Sequence, residues 1–355
     1  FFMRAIFMRF KFIIVSVLVL IAAYSAFWFK VANEVKKSTL EWIEAQKNSA
    51  DDLKVFVGDI DVTGFPYKIA VSASSLNVII SAGDYSALPI FATFPNVSVV
   101  YQPWKPCHGV IVTDYFDVVI GDIENPQTSV AFEGVKSSVI LDTDTMALNS
   151  LSIMAENVSW HAGAPSENGE ISFMDHPEFH LRKYLSGING QNSYDLPVNK
   201  AIYFKANNAV INEFKSNLLG KNADQIIIET ILHANQMPQY SVASLSKWRD
   251  EGGTLTIRTF EYGNKESRVK LSGDVTLDEN LKPLGAFDVQ ISNIHQFLEN
   301  LSQSQGLLKT AQSFINSQSS NQAQTKELPL SLSLQNGFLY VGPIQVIALS
   351  PVIGN

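Results

Sequence analysis

Cysteine is almost absent from this chain: Cys107 is the single one in 355 residues. An internal disulfide and any cysteine-rich metal site are therefore excluded. Charge is scarce as well, at 17% of residues against 46% hydrophobic. That balance excludes a wholly disordered chain. The charge present is not basic. Lys and Arg total 26, Asp and Glu 34, for a net −8, so broad binding to nucleic acid is not expected. The common catalytic signatures are missing too. There is no G-x-S-x-G elbow, no P-loop and no G-x-G-x-x-G. Composition thus speaks to architecture and location more than to a reaction.

One long apolar run stands out. Phe12 to Phe29 is 18 residues without a charge, close to the ~20 needed to cross a ~30 Å hydrocarbon core. Arg4, Arg9 and Lys11 precede it with no acidic residue, which predicts a cytoplasmic amino terminus. Tyr24, Phe27, Trp28 and Phe29 crowd the far end, where aromatics suit a membrane–water interface. The same segment also fits a cleaved secretory signal, with small residues around Ser25. Either reading sends the remainder out of the cytoplasm. The division expected is a tip and anchor over 1–30, a juxtamembrane helix over 31–50, and one large β-rich domain over 51–355. Val31, Val35, Leu40 and Ile43 give that second helix a loose apolar stripe. It reads either as a coupling element or as a spacer that lifts the domain off the bilayer.

Beyond Asp52 the period changes to alternation. Short runs rich in Val, Ile, Ser and Thr follow, bounded by Gly, Pro, Asn or Asp. They include Tyr67–Ala73, Leu76–Ile80, Asn96–Gln102, Gly109–Thr113, Tyr115–Ile120, Thr128–Phe132, Val135–Leu141 and Met146–Trp160. Further runs continue the style to Gly285–Ile291, and Leu328–Leu334 leads through Asn336-Gly337 into a last hairpin. The pattern predicts a mainly β fold with an extended, mostly antiparallel sheet. Two helices are expected, Val242–Asp250 and Ile294–Asn316, and Ser317–Lys326 reads as a mobile loop.

Few residues offer chemistry. His176, Glu178 and His180 would share one strand face at alternate positions, and two imidazoles with a carboxylate suit zinc. The competing reading is a polar edge strand, which Pro177 favours. Cys107-His108 would point to opposite faces of a strand. What remains is the apolar strand faces. Ile69, Val71, Val78, Ile80, Val110, Val112 and Leu271 are the residues that alternation offers as the lining of a lipid groove. A closed core is the alternative.

The order of motifs carries a resemblance. Trp42 lies in a helix after the anchor, and Gly64-Phe65-Pro66 opens a strand. Trp248 and Gly252-Gly253 precede Leu271-Ser272-Gly273-Asp274-Val275-Thr276-Leu277-Asp278 and Pro283-Leu284-Gly285. The end reads Leu328-Pro329-Leu330, Asn336-Gly337 and Val341-Gly342-Pro343-Ile344. This order resembles the alphaproteobacterial envelope family known as domain of unknown function 2125, and Gly273 to Gly285 resembles a signature of the wider AsmA-like group. The resemblance implies a protein of the bacterial inner membrane with its bulk in the periplasm, and a curved sheet with an apolar face. It implies lipid handling without catalysis or cofactor, with bound phospholipid as ligand. A scaffold that docks another envelope protein is the second reading.

Overall fold

The computed structural model describes residues 2–48, 53–81, 88–163, 170–183, 196, 198–212, 221–265, 268–292 and 327–353. Helix α1 (Phe2–Asn48) runs 47 residues unbroken, about 70 Å at 1.5 Å per residue. It is long and apolar enough to cross a membrane. Phe12, Ile13, Leu20 and Phe29 stand exposed along it. Its character changes at Trp28, which is 3% exposed. There Trp28, Val31, Ala32 and Val35, at helical spacing, pack on Ile69, Val62, Val71 and Tyr101. The Trp28 Nε1–H donates to the Lys68 carbonyl at 3.1 Å. The helix therefore packs on the sheet from the end of the apolar run onward.

One antiparallel sheet makes up the rest, forked at its amino-terminal end. In one prong β1 (Leu53–Val57) pairs with β4 (Leu76–Ile80), β4 with β5 (Ile90–Phe94), and β5 with the second half of β7 (Lys105–Gly121). In the other, β2 (Ile60–Thr63) pairs with β3 (Ile69–Ala73), β3 with β6 (Val97–Gln102), and β6 with the first half of β7. Helix α1 touches both prongs, at β1 and at β2. Strand β8 (Pro126–Leu141) follows all of β7. Its other edge carries β9 (Leu148–Met154) on one half and β10 (Asn157–Ala162) on the other, and β11 (Ser172–Lys183) rejoins them.

From β11 each strand pairs with the next: β12 (Val198–Val210), β13 (Asn222–Ala234), β14 (Thr254–Gly263), β15 (Arg268–Leu277), β16 (Pro283–Ser292), β17 (Glu327–Gln335), β18 (Phe338–Val341) and β19 (Ile344–Ala348). Helix α2 (Val242–Asp250) links β13 to β14. The Ser241 hydroxyl caps it by accepting from the Ser244 amide, and Trp248 anchors it. The Trp248 Nε1–H donates to the His233 carbonyl at 2.9 Å.

A crease crosses the sheet where the fork closes. In β8 it falls at Gly134 (φ 61), in β11 at His176 (φ 47) and in β12 at Asn208 (φ 43). Left-handed backbone of this kind shifts the alternation by one residue. Val135 before the crease and Phe132, Phe116 and Val158 beyond it consequently pack in one cluster. The crease also corrects the strand reading. Gly109–Thr113 and Tyr115–Ile120 are one strand, β7, as are Thr128–Phe132 and Val135–Leu141 in β8. Met146–Trp160 is two strands, because β9 and β10 pair with different halves of β8. The Asn336-Gly337 turn has positive φ at both residues, 52 and 75, as a type I′ hairpin requires. Ile294–Asn316 and Ser317–Lys326 lie outside the described residues.

Candidate functional site

Residues paired across neighbouring strands point to the same side of a sheet. Following the register from strand to strand traces one row through thirteen strands: Val62, Val71, Val99, Ile111, Ser137, Ile153, Phe179, Phe204, Ile228, Phe260, Leu271, Val289 and Leu330. Twelve of the thirteen are apolar. Twelve steps of ~4.8 Å make the row about 58 Å long.

The row one residue over faces the other way. It reads Asp61, Ser72, Ser98, Val112, Lys136, Met154, Glu178, Lys205, Ile227, Glu261, Lys270, Gln290 and Pro329. Its charges alternate in sign along the sheet. Arg268 and Lys270 reach Glu261 at 3.0 and 3.3 Å. The sheet thus has a polar side suited to water and an apolar side.

What covers the apolar side decides its role. In a closed core such residues would be fully buried. In this row only Val289 and Leu330 are, and the other ten stay half-buried or exposed, whereas the next row on the same side, Ala206, Ile226, Tyr262, Val269 and Ile291, is buried. A second apolar patch joins the row through the crease. Phe94 stacks on Phe116 at 4.6 Å between ring centres and Phe116 on Phe132 at 4.3 Å. Val130, Trp160 and Met174 pack around them, all half-buried.

The sequence-predicted lining residues divide between the two sides. Val71 and Leu271 lie in the apolar row. Ile69 is on the same side but wholly buried beneath Trp28 and Ala32. Val78 and Ile80 sit in the fork, opposite Ala92 and Ile90, on the side of Val118 and Val130. Val110 and Val112 are on the polar side, paired with Ser138 and Lys136. In the run Gly109-Val110-Ile111-Val112-Thr113 three apolar residues are consecutive. Alternation cannot choose among them, and register selects Ile111. Phe204, Ile228 and Phe260 are lining residues that sequence reasoning missed. Ile202-Tyr203-Phe204 and Ile226-Ile227-Ile228 are apolar at every position, so alternation gives no signal there and only strand pairing selects Phe204 and Ile228.

His176, Glu178 and His180 do not converge. The register slips between Asp175 and Glu178, so strict alternation fails and His176 stands exposed at the crease. His180 Nε2 lies 3.5 Å from Glu178 Oε2, and its Nδ1 is buried without a hydrogen-bond partner. Among the described residues no group of three or more His, Cys, Asp and Glu side chains is placed to hold a metal ion. A cleft of about 430 Å³ between α1 and the β1–β2 turn is lined by Leu40, Ile43, Val57 and Ile60 together with Glu41, Glu44 and Lys47. It is short beside the apolar row and mixed in polarity.

The family model for DUF2125, uncharacterized proteins conserved in bacteria, matches residues 28–349. The chain belongs to the DUF2125 family. Its matched segment begins at Trp28, the first helix residue docked on the sheet, and ends just past β19. No curated protein matches the chain. The family description names no activity.

Proposed function

We propose that this DUF2125 protein is a non-enzymatic membrane-anchored envelope protein that binds lipid, or passes it along, on the apolar side of its sheet. One observation carries the reading: the row from Val62 to Leu330, in which ten of twelve apolar residues are left uncovered or half-covered. An acyl chain occupies about half of a ~30 Å hydrocarbon core, roughly 15 Å. The row is several such lengths long. Fully burying a ~16-carbon chain there is worth on the order of 10 kcal/mol before ordering costs, and needs no catalytic group. The AsmA-like resemblance of Gly273 to Gly285 supports the same reading.

Helix α1 is a single-pass anchor in the bacterial inner membrane. The basic residues Arg4, Arg9 and Lys11 keep its start in the cytoplasm, and the sheet stands in the periplasm. The test is photocrosslinking in cells with a benzophenone amino acid at Leu271 on the apolar side and at Val112 on the polar side. Phospholipid adducts by mass spectrometry at Leu271 and none at Val112 are the expected result. Equal yields at both positions, or adducts to protein alone at Leu271, would remove the lipid reading. The second of these would make the face a docking surface of a scaffold.

A further inference from the structure

We infer that the β2–β3 hairpin is a second membrane contact, a wedge that sits in the bilayer interface beside the anchor. The inference rests on the reading of α1 as a membrane-spanning helix. The hairpin tip, Gly64-Phe65-Pro66-Tyr67, carries no charge. Phe65 is 46% exposed and Tyr67 76%, and Phe29, which stacks on Phe65, is 61% exposed, so the rings continue the exposed apolar surface of the helix. Their position explains them. Phe65 stacks on Phe29 at 5.6 Å between ring centres and meets Trp28 edge-on at 5.5 Å. The Tyr24 hydroxyl donates to the Pro66 carbonyl. Tyr24 is six residues before Lys30, about 9 Å down the helix axis, inside the apolar run. The hairpin thus reaches down alongside the membrane segment.

Its backbone is prepared for that surrounding, where an unpaired carbonyl is costly. The Gly64 carbonyl accepts from the Lys68 amide at 3.0 Å, the Pro66 carbonyl from Tyr24, and the Lys68 carbonyl from Trp28. Pro66 has no N–H to satisfy. An exposed Phe and Tyr at this level match the aromatic belt of a bilayer interface. Two contacts, helix and wedge, fix the tilt of the sheet so that Val62 and Val71, the start of the apolar row, sit at the membrane surface.

The test uses the full chain in phosphatidylcholine vesicles. Single cysteines replace Tyr67, Val19 or Asp288 in a Cys107→Ser background, each carrying an environment-sensitive fluorophore, with and without doxyl-labelled phosphatidylcholine. Quenching at Tyr67 and Val19, with none at Asp288, is the expected loss of signal. Quenching at Val19 but not at Tyr67 overturns the wedge and leaves the anchor standing. Quenching at neither overturns the anchor and the wedge with it. Phe65→Cys, labelled in the same way, repeats the reading should Tyr67→Cys fail to fold.

Discussion

At the scale of single residues, glycine marks where two strands come too close for a side chain. A Cβ on Gly273 would lie 2.1 Å from the Ala286 carbonyl oxygen, and one on Gly285 would lie 2.3 Å from the Asp274 carbonyl oxygen. Both obstacles are backbone, so neither can swing aside. Gly273→Ala is expected to destabilise by about 1–3 kcal/mol, the usual range for overpacking, read as a lowered denaturation midpoint in detergent. An unchanged midpoint would mean β15 and β16 separate without cost.

His233 offers a pH test. Burial holds its imidazole below the ordinary 6.5, Arg258 acts in the same direction, and Asp274 opposes them. The unfolded chain takes up a proton near 6.5 and the folded one resists it, so stability is full above that pH and is lost as pH falls below it. The urea midpoint of the wild type is expected to drop between about pH 7.5 and 5.5, and the drop to shrink in His233→Gln. Equal drops in both would remove His233 from the account.

Whole elements show what sequence patterning can and cannot reveal. Strands β15 to β17 and the Asn336-Gly337 turn were legible, because alternation there is strict and the turn residues declare themselves; the return strand expected over Phe338–Val346 is instead two strands, β18 and β19. The crease was not legible. Nothing in Gly134, His176 or Asn208 taken alone reports that three strands bend on one line. The bend comes from pairing between distant segments, and it broke the strict alternation on which the metal-site reading rested. Two of the seven lining candidates, Val110 and Val112, failed for another reason, a run of consecutive apolar residues. Ile111 and Val112 test the outcome. Ile111→Asn should abolish the lipid adduct at Leu271 if the row is continuous, while Val112→Asn, on the wet side, should leave it intact. The reverse pattern would place the faces the other way round. Helix α1 permits a parallel test. Trp28→Ala removes a side chain buried against Ile69 and Lys68 and is expected to cost about 3–5 kcal/mol, read as a lowered urea midpoint. A cost under about 1 kcal/mol would mean the helix only lies beside the sheet.

For the whole molecule, surface area is the informative quantity. The protein exposes 22180 Å², whereas a compact monomer of 39.2 kDa exposes about 14,000 Å². The exposed apolar run of helix α1 and the half-exposed row of the sheet add to that area. Neutron scattering with contrast-matched detergent should give a radius of gyration well above the ~20 Å expected of a compact chain of this length. A value near ~20 Å would mean that the sheet closes on itself.

The neighbour-to-neighbour pairing from β11 to β19 has a consequence for how such a protein changes over generations. Among the described residues each strand from β12 on is hydrogen-bonded in the ladder only to its neighbours in the chain. Adding one hairpin would extend the apolar row by about 9–10 Å and disturb nothing already built. Deleting one would shorten it by the same amount. Reach is thus a countable property of this fold.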